Sequence, residues 1–380
     1  MTVDLSAPSI PVQPIAAAAA DVDREGRFPH EAVEALAGSG ALAIGMPEER
    51  GGPGGGPQDV VEAVEAVAGA CASAGMVHVM HLVATQTLLA GTPPDDDGPK
   101  ADALAAIARG GHISTLAYSE RGSRGHFWAQ VSRARPDGDV VVIDADKSWA
   151  TSAGEVDSYV LATGAPGGDD SLDTELYLVD GAAEGIEIPA RFDGLGLRGN
   201  ASAPLRIRGL RVAHERRLGE PHSGFPMMLQ ATLPWFALGS AACSLGIAGA
   251  AITAASEHAT GARFQHLGTT LADVPGVRDR LARAQIRFLE SRALVREVAG
   301  QIAADSPEAQ LGVLAVKASA AEMAAEVCDL CMRIGGGAAY SRHGSLERHL
   351  RDARAAAVMA PTTDLLHDFI GKALTGQELF

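Results

Sequence analysis

The sequence predicts an α+β chain in three parts: a helical domain over residues 1–110, a β domain over 111–220 and a helical bundle over 221–380. Three observations predict it. Apolar residues recur at helical spacing up to about residue 110. Near Gly111 the pattern changes to short β-branched or alternating runs separated by Pro, Gly and Asp. From about Gly224 helical spacing returns and holds to the end. Strands do not alternate with helices, and no G-x-G-x-x-G opens a helix after a strand, so a dinucleotide-binding α/β domain is disfavoured.

In order, Phe28, Val33, Leu36 and Ala37 mark a helix ended by Gly38 and Gly40. Met46–Pro57 is a glycine-rich loop, two apolar helical stretches follow, and Thr92–Lys100 is a solvated connector. Seven strand-like runs come next: HISTLAYSE, FWAQVSRAR, DVVVIDA, SYVLATG, ELYLVD, GIEIPA and PLRIRGLRV. They imply an antiparallel barrel or sandwich, with a hairpin turn at Pro136-Asp137-Gly138-Asp139. Val277, Leu281, Ala284, Phe288, Val295, Val298 and Ile302 form one helical stripe. Leu311–Ile334 and Thr362–Leu374 are further helices.

Composition excludes several functions. The chain has 380 residues, 47% of them apolar, and 47 acidic against 31 basic side chains give a net charge of −16. Such an excess offers no counter-charge to nucleic-acid phosphates or to anionic lipid. Pro221–Ser256 contains no Asp, Glu, Lys or Arg, yet the breaks at Pro226 and Pro234 and its Ala, Gly and Ser content suit the centre of a bundle better than a membrane span. The Ala16–Ala20 run lacks the basic flank of a signal peptide, and four cysteines are too few for a disulfide framework, so a cytoplasmic protein is expected.

Isolated motifs are weak. Cys328-x-x-Cys331 has no second pair to complete a structural zinc site, and reads as two small apolar residues in a helix. The twelve histidines show no H-E-x-x-H. Gly335-Gly336-Gly337 reads locally as a helix C-terminus, with close approach of a ligand as the alternative. Trp149, two residues before Thr151, could be core or could flank a planar cofactor beside a hydroxyl.

Six segments in order resemble the acyl-CoA dehydrogenase superfamily: FPHEAVEAL…MPEERGGPGGG, AYSERGSRG, KSWATSA, LGLRGNASAPL, ARFQHLGTTLADVPGV and RIGGGAAY…LERHLRDARAAAV…PTTD. The resemblance spans nearly the whole chain. It implies an N-terminal helical domain, a middle antiparallel β domain and a C-terminal four-helix bundle, with bound FAD and a homodimer or homotetramer. By the same resemblance, Leu116, Tyr118 and Ser119 belong to the flavin strand and loop, Trp149 and Thr151 flank the ring, and Thr362 follows the catalytic position. Arg263 is close to the family's arginine, displaced by one position, that reaches the pyrophosphate of a neighbouring subunit's FAD; Gly336 and Gly337 match the Gly-Gly that admits the cofactor, and Arg333 stands where the family has the Gln before it.

The departures bear on mechanism. Family members remove the proton α to a thioester carbonyl with a carboxylate, and that position falls here on Ala360, followed by Pro361. The alternative family position falls near Phe236. Asp364, one helical turn past Ala360, and His126, in the flavin loop, are the substitute candidates. Asp364 also suits a plain role in the first turn of a helix beginning at Pro361. The resemblance therefore implies desaturation of an acyl thioester, on CoA or a carrier protein, with electrons passing to a partner flavoprotein or O2. The alternatives are a monooxygenase using reduced flavin and a non-catalytic acyl- or flavin-binding subunit.

Overall fold

The computed structural model describes residues 9–379. The first helices are α1 (Val12–Glu25), α2 (His30–Ser39), α3 (Pro57–Ala70), α4 (Ala72–Ala90) and α5 (Pro99–Ala108). The Ala16–Ala20 run lies within α1. Helix α4 is apolar nearly all round and buried along most of its length, and its two histidines act as internal ties. The Nε2 atoms of His78 and His81 lie 2.9 and 3.0 Å from the carbonyls of Ala41 and Leu42. His81 Nδ1 accepts from the Ser114 N–H, joining α4 to the first strand.

Eight strands follow: β1 (Ser114–Ala117), β2 (Arg135–Asp137), β3 (Val140–Ala150), β4 (Ser158–Gly164), β5 (Thr174–Asp180), β6 (Ile186–Glu187), β7 (Ala203–Ala213) and β8 (Arg217–Leu218). They form two four-stranded sheets, ordered β1-β4-β5-β8 and β2-β3-β7-β6. The β2–β3 hairpin turns at Gly138-Asp139, with Gly138 at φ 64°. Strands β4 and β5 are buried on both faces. Tyr159, Leu161, Tyr177 and Val179 enter the core between the sheets, whereas Val160, Ala162, Leu176 and Leu178 enter the helical core. That double burial explains the unbroken apolar run of SYVLATG.

Two strand expectations are corrected. The β1–β4 pair is parallel rather than antiparallel. FWAQVSRAR forms no strand over Phe127–Ala134, because the Glu120 carboxylate takes the Val131 and Ser132 N–H groups that a ladder would need.

The C-terminal part begins with a short helix α6 (Gly224–Met227) and a π-turn (Met228–Thr232), and continues as α7 (Leu233–Gly261). A ribbon of β9 (Arg263–Phe264) and β10 (Thr269–Thr270) precedes α8 (Pro275–Ala303) and α9 (Ala309–Ala339). Then come α10 (Leu346–Asp352), α11 (Ala355–Val358) and α12 (Thr363–Thr375). Gly224–Gly261 is long and apolar enough to cross a bilayer, but here α3, α4, α8 and α9 pack around α7. A Cβ on Gly246 would lie 2.4 Å from the Glu65 carbonyl, so glycine permits the close α3–α7 crossing. Cys328 and Cys331 are buried free thiols inside α9. The glycine triplet ends the regular run of α9: Gly336 leaves helical geometry with φ of 53° and ψ of −137°, which favour glycine, and only a last short helical stretch follows to Ala339. Pro361 does not start α12: Thr362 is the cap, accepting from Leu365 N–H, and the proline precedes it.

One buried ion pair locks the loop after β1 to the sheets. Lys147 Nζ on β3 is fully buried and donates to Glu120 Oε1 (2.8 Å), Gln130 Oε1 (2.9 Å) and the carbonyls of Ala162 (2.5 Å) and Tyr118 (3.3 Å). Burial works against both charges. For Glu120, Lys147 and Ser132 outweigh it and hold the carboxyl below its ordinary value, whereas Lys147 is left below its own.

Lys147→Met leaves the Glu120 carboxylate buried and unpaired. Urea unfolding should register a loss of roughly 3–5 kcal/mol; a loss under about 1 kcal/mol would show that the pair is incidental. A second expectation concerns acid. Burial lowers His78 to about 4, and His81 and His349 to about 3, while it raises Asp352 to about 7. Between pH 6.5 and about 4 the unfolded chain thus binds three more imidazole protons, and the folded chain one more carboxyl proton. Stability therefore falls as pH drops through that window, by up to about 2.7 kcal/mol per unit. A urea midpoint unchanged from pH 7 to pH 5 would contradict this.

Candidate functional site

A cavity of about 520 Å³ opens where the end of β3, the 119–125 loop, the π-turn and the 355–362 segment converge. One wall is the end of β3. Trp149 is 59% exposed although it is a large aromatic beside a cavity, and its indole meets the Phe192 ring edge-on, at 6.0 Å. Thr151 Oγ1 lies 3.1 Å from Ser202 Oγ, and the chain turns at Ser152 (φ 59°), whose N–H is held by the Asn200 carbonyl. Opposite runs the loop after β1. Ser148 N–H donates to the Ser119 carbonyl (2.9 Å), while the Ser119 hydroxyl has no partner among the described residues. An uncovered indole next to free and shared hydroxyls fits a planar ring system with hydrogen-bonding edges, such as an isoalloxazine.

The inner end is apolar. Met80, Phe127, Phe236 and Met359 line it, and Tyr118 closes it with its hydroxyl turned to Thr232 (3.3 Å) and its acidity suppressed by burial. Ala360 lines the same space. Behind it stands Lys317, fully buried on α9, whose Nζ donates to the carbonyls of Ala356 (3.0 Å), Met359 (3.0 Å) and Pro361 (2.8 Å). Burial lowers this amine to about 7. The Met359 carbonyl and the Ala360 N–H belong to one planar trans peptide, so drawing the carbonyl toward Lys317 points the N–H the other way. That N–H has no acceptor among the described residues.

The structure brings Leu116, Tyr118, Ser119, Trp149, Thr151 and Thr362 together around the cavity, with Ala360 and Phe236. It does not bring Arg263, Arg333, Gly336 and Gly337 there: Arg263 is exposed on β9, and the other three are exposed toward the end of α9. Asp364 is exposed on α12 and outside the lining. His126 is also exposed outside the lining, between lining residues Gly125 and Phe127, with its ring edge-on to Trp128 (5.2 Å). The one carboxylate in the lining, Glu120, is taken by Lys147. Sequence reasoning missed Lys317. Its signal is periodic: Glu322, Glu326, Asp329 and Arg333 form a polar stripe on α9, and Lys317 lies off it.

Comparison with known proteins places the chain in a family. Residues 12–110 match the acyl-CoA dehydrogenase N-terminal domain and 222–375 the acyl-CoA dehydrogenase C-terminal domain. A protein named as a probable acyl-CoA dehydrogenase, FadE25 of Mycobacterium tuberculosis, is 29% identical over 360 residues, 95% of this chain and 91% of its own. The mitochondrial short-chain specific acyl-CoA dehydrogenase of Homo sapiens is 29% identical over 350 residues, 91% of this chain and 83% of its own. The butyryl-CoA dehydrogenase of Megasphaera elsdenii shares the fold at a TM-score of 0.89 and 22% identity, over 96% of this chain and 94% of that one. The chain belongs to the acyl-CoA dehydrogenase superfamily of FAD-binding oxidoreductases.

Proposed function

We propose that this chain desaturates an acyl thioester, carried on CoA or a carrier protein, and passes the electrons to a partner flavoprotein or O2. The observation that carries the reading is one cavity joining the Trp149–Thr151 wall to an apolar chamber with a free backbone donor at Ala360. FAD, when bound, supplies the acceptor for the hydride that leaves the β carbon. Trp149, Thr151 and Ser119 would hold its ring, with Thr362 beside it. Arg263, Arg333, Gly336 and Gly337 would serve the cofactor of a neighbouring copy in a homodimer or homotetramer.

The chain's own contribution is polarisation and water exclusion. The Ala360 N–H donates to the thioester carbonyl oxygen, which acidifies the α proton, and Lys317 holds that peptide in place. Phe127, Phe236 and Met359 keep water from the chamber. For the proton we propose His126 rather than Asp364. Its Nδ1–H donates to the Ser123 carbonyl (3.3 Å), which leaves Nε2 as the free acceptor, and both its chain neighbours line the cavity.

A second reading, oxygenation by reduced flavin and O2, is favoured by the lack of an unpaired carboxylate in the lining, because that chemistry requires no α-proton removal by the protein. The test separates the two. Mixed anaerobically with a panel of acyl thioesters, the oxidised protein should bleach with at least one. His126→Gln should slow bleaching by about 10²-fold, and Ala360→Glu should restore it in that background. Bleaching unaffected by His126→Gln would reject the assigned base. No bleaching with any thioester, together with oxygen incorporation from reduced flavin, would replace the first reading by the second.

A further inference from the structure

Two lining residues have no part in the scheme above. Arg121 and Arg124 are the cationic side chains of the cavity lining, both exposed, and neither guanidinium has an ion pair or side-chain hydrogen bond among the described residues. Since Lys147 takes up the Glu120 charge, the cavity keeps two uncompensated positive charges in a chain of net charge −16. Their placement is specific. The Arg121 N–H donates to the Asp146 carbonyl (3.1 Å), which fixes it beside β3 just before Trp149. Arg124 holds a left-handed φ of 50°, a conformation that long side chains avoid, so the backbone is strained where this guanidinium is presented. Next to it, a Cβ on Gly125 would lie 3.8 Å from the Thr362 methyl, so the loop lies close to the segment bearing Ala360.

We propose that Arg121 and Arg124 form a clamp for a phosphate group at the exposed side of the cavity. Phosphate fits better than a carboxylate on the acyl chain, because the inner chamber lined by Met80, Phe127, Phe236 and Met359 offers no charge to a polar chain end. Paired guanidiniums match phosphate oxygens in geometry and charge. Two sources carry this chemistry, the pyrophosphate of FAD and the phosphate of a phosphopantetheine arm. The second source rests on the thioester reading above, and the first does not.

The test compares the wild-type holoprotein with Arg121→Gln/Arg124→Gln in two arms. In one, FAD release on dilution is followed by flavin fluorescence at about 50 and about 300 mM NaCl. In the other, 4′-phosphopantetheine and pantetheine are titrated calorimetrically. The clamp predicts, in at least one arm, a loss of about tenfold or more for the phosphate-bearing ligand. Pantetheine binding should be unchanged, and the salt sensitivity of FAD release should disappear if the pyrophosphate is the ligand. A change confined to the FAD arm assigns the clamp to the cofactor, and a change confined to phosphopantetheine assigns it to the substrate arm. If the double variant is colourless, Arg121→Lys/Arg124→Lys decides: recovered flavin supports the clamp, and a colourless protein overturns it. Unchanged affinities in both arms, or equal losses for phosphopantetheine and pantetheine, also overturn it.

Discussion

The geometry of the site depends on a single ammonium group. Lys147 lies at the meeting point of three chain segments, and its hydrogen bonds reach the loop after β1 through Tyr118 and Glu120, the irregular stretch at Gln130, and β4 at Ala162. Two residues further along β3 comes Trp149, and one residue before Glu120 comes Ser119. The same ion pair that satisfies a buried charge therefore sets the spacing between Ser119 and Trp149 in the cavity lining. Glu120 also accounts for the missing strand at Phe127–Ala134, because its oxygens replace ladder partners there. A pair of this kind adds little net stability over an apolar substitute, but breaking it is costly, and here it dictates one arrangement of three chain segments.

A second buried lysine plays a comparable part at the other end of the cavity. Lys317 gathers three carbonyls from α11 to the start of α12, and in doing so turns the Ala360 N–H outward. The site thus keeps a backbone donor at the position whose side chain cannot accept a proton. Polarisation of a carbonyl is a backbone property here and survives a change of side chain, whereas proton removal is a side-chain property and does not. This separation is why both proposed readings, a thioester scheme with a displaced base and an oxygenation scheme without one, are compatible with the same cavity.

Much of the architecture was legible because its causes are local. Helical periodicity, glycine at helix ends and the unbroken apolar run of β4 are written in neighbouring residues. That Trp149 and Thr151 share one cavity wall agrees with their standing two apart at a strand's end. What was not legible arises between distant segments. The parallel β1–β4 pairing and the diversion of the Val131 and Ser132 N–H groups depend on which segments meet, not on their composition. The grip of Lys317 on residues about 40 positions away is a tertiary fact of the same kind. For Lys317 a faint trace existed, a lysine off the polar stripe of its own helix, but its carbonyl partners could not be read from spacing.

The most direct measurement is a crystal structure of the flavin-loaded protein with a non-reactive acyl thioester analogue. The account predicts the isoalloxazine against Trp149 and Thr151, with the thioester carbonyl oxygen within hydrogen-bonding distance of the Ala360 nitrogen. A flavin seated elsewhere, or a carbonyl turned away from Ala360, would contradict it.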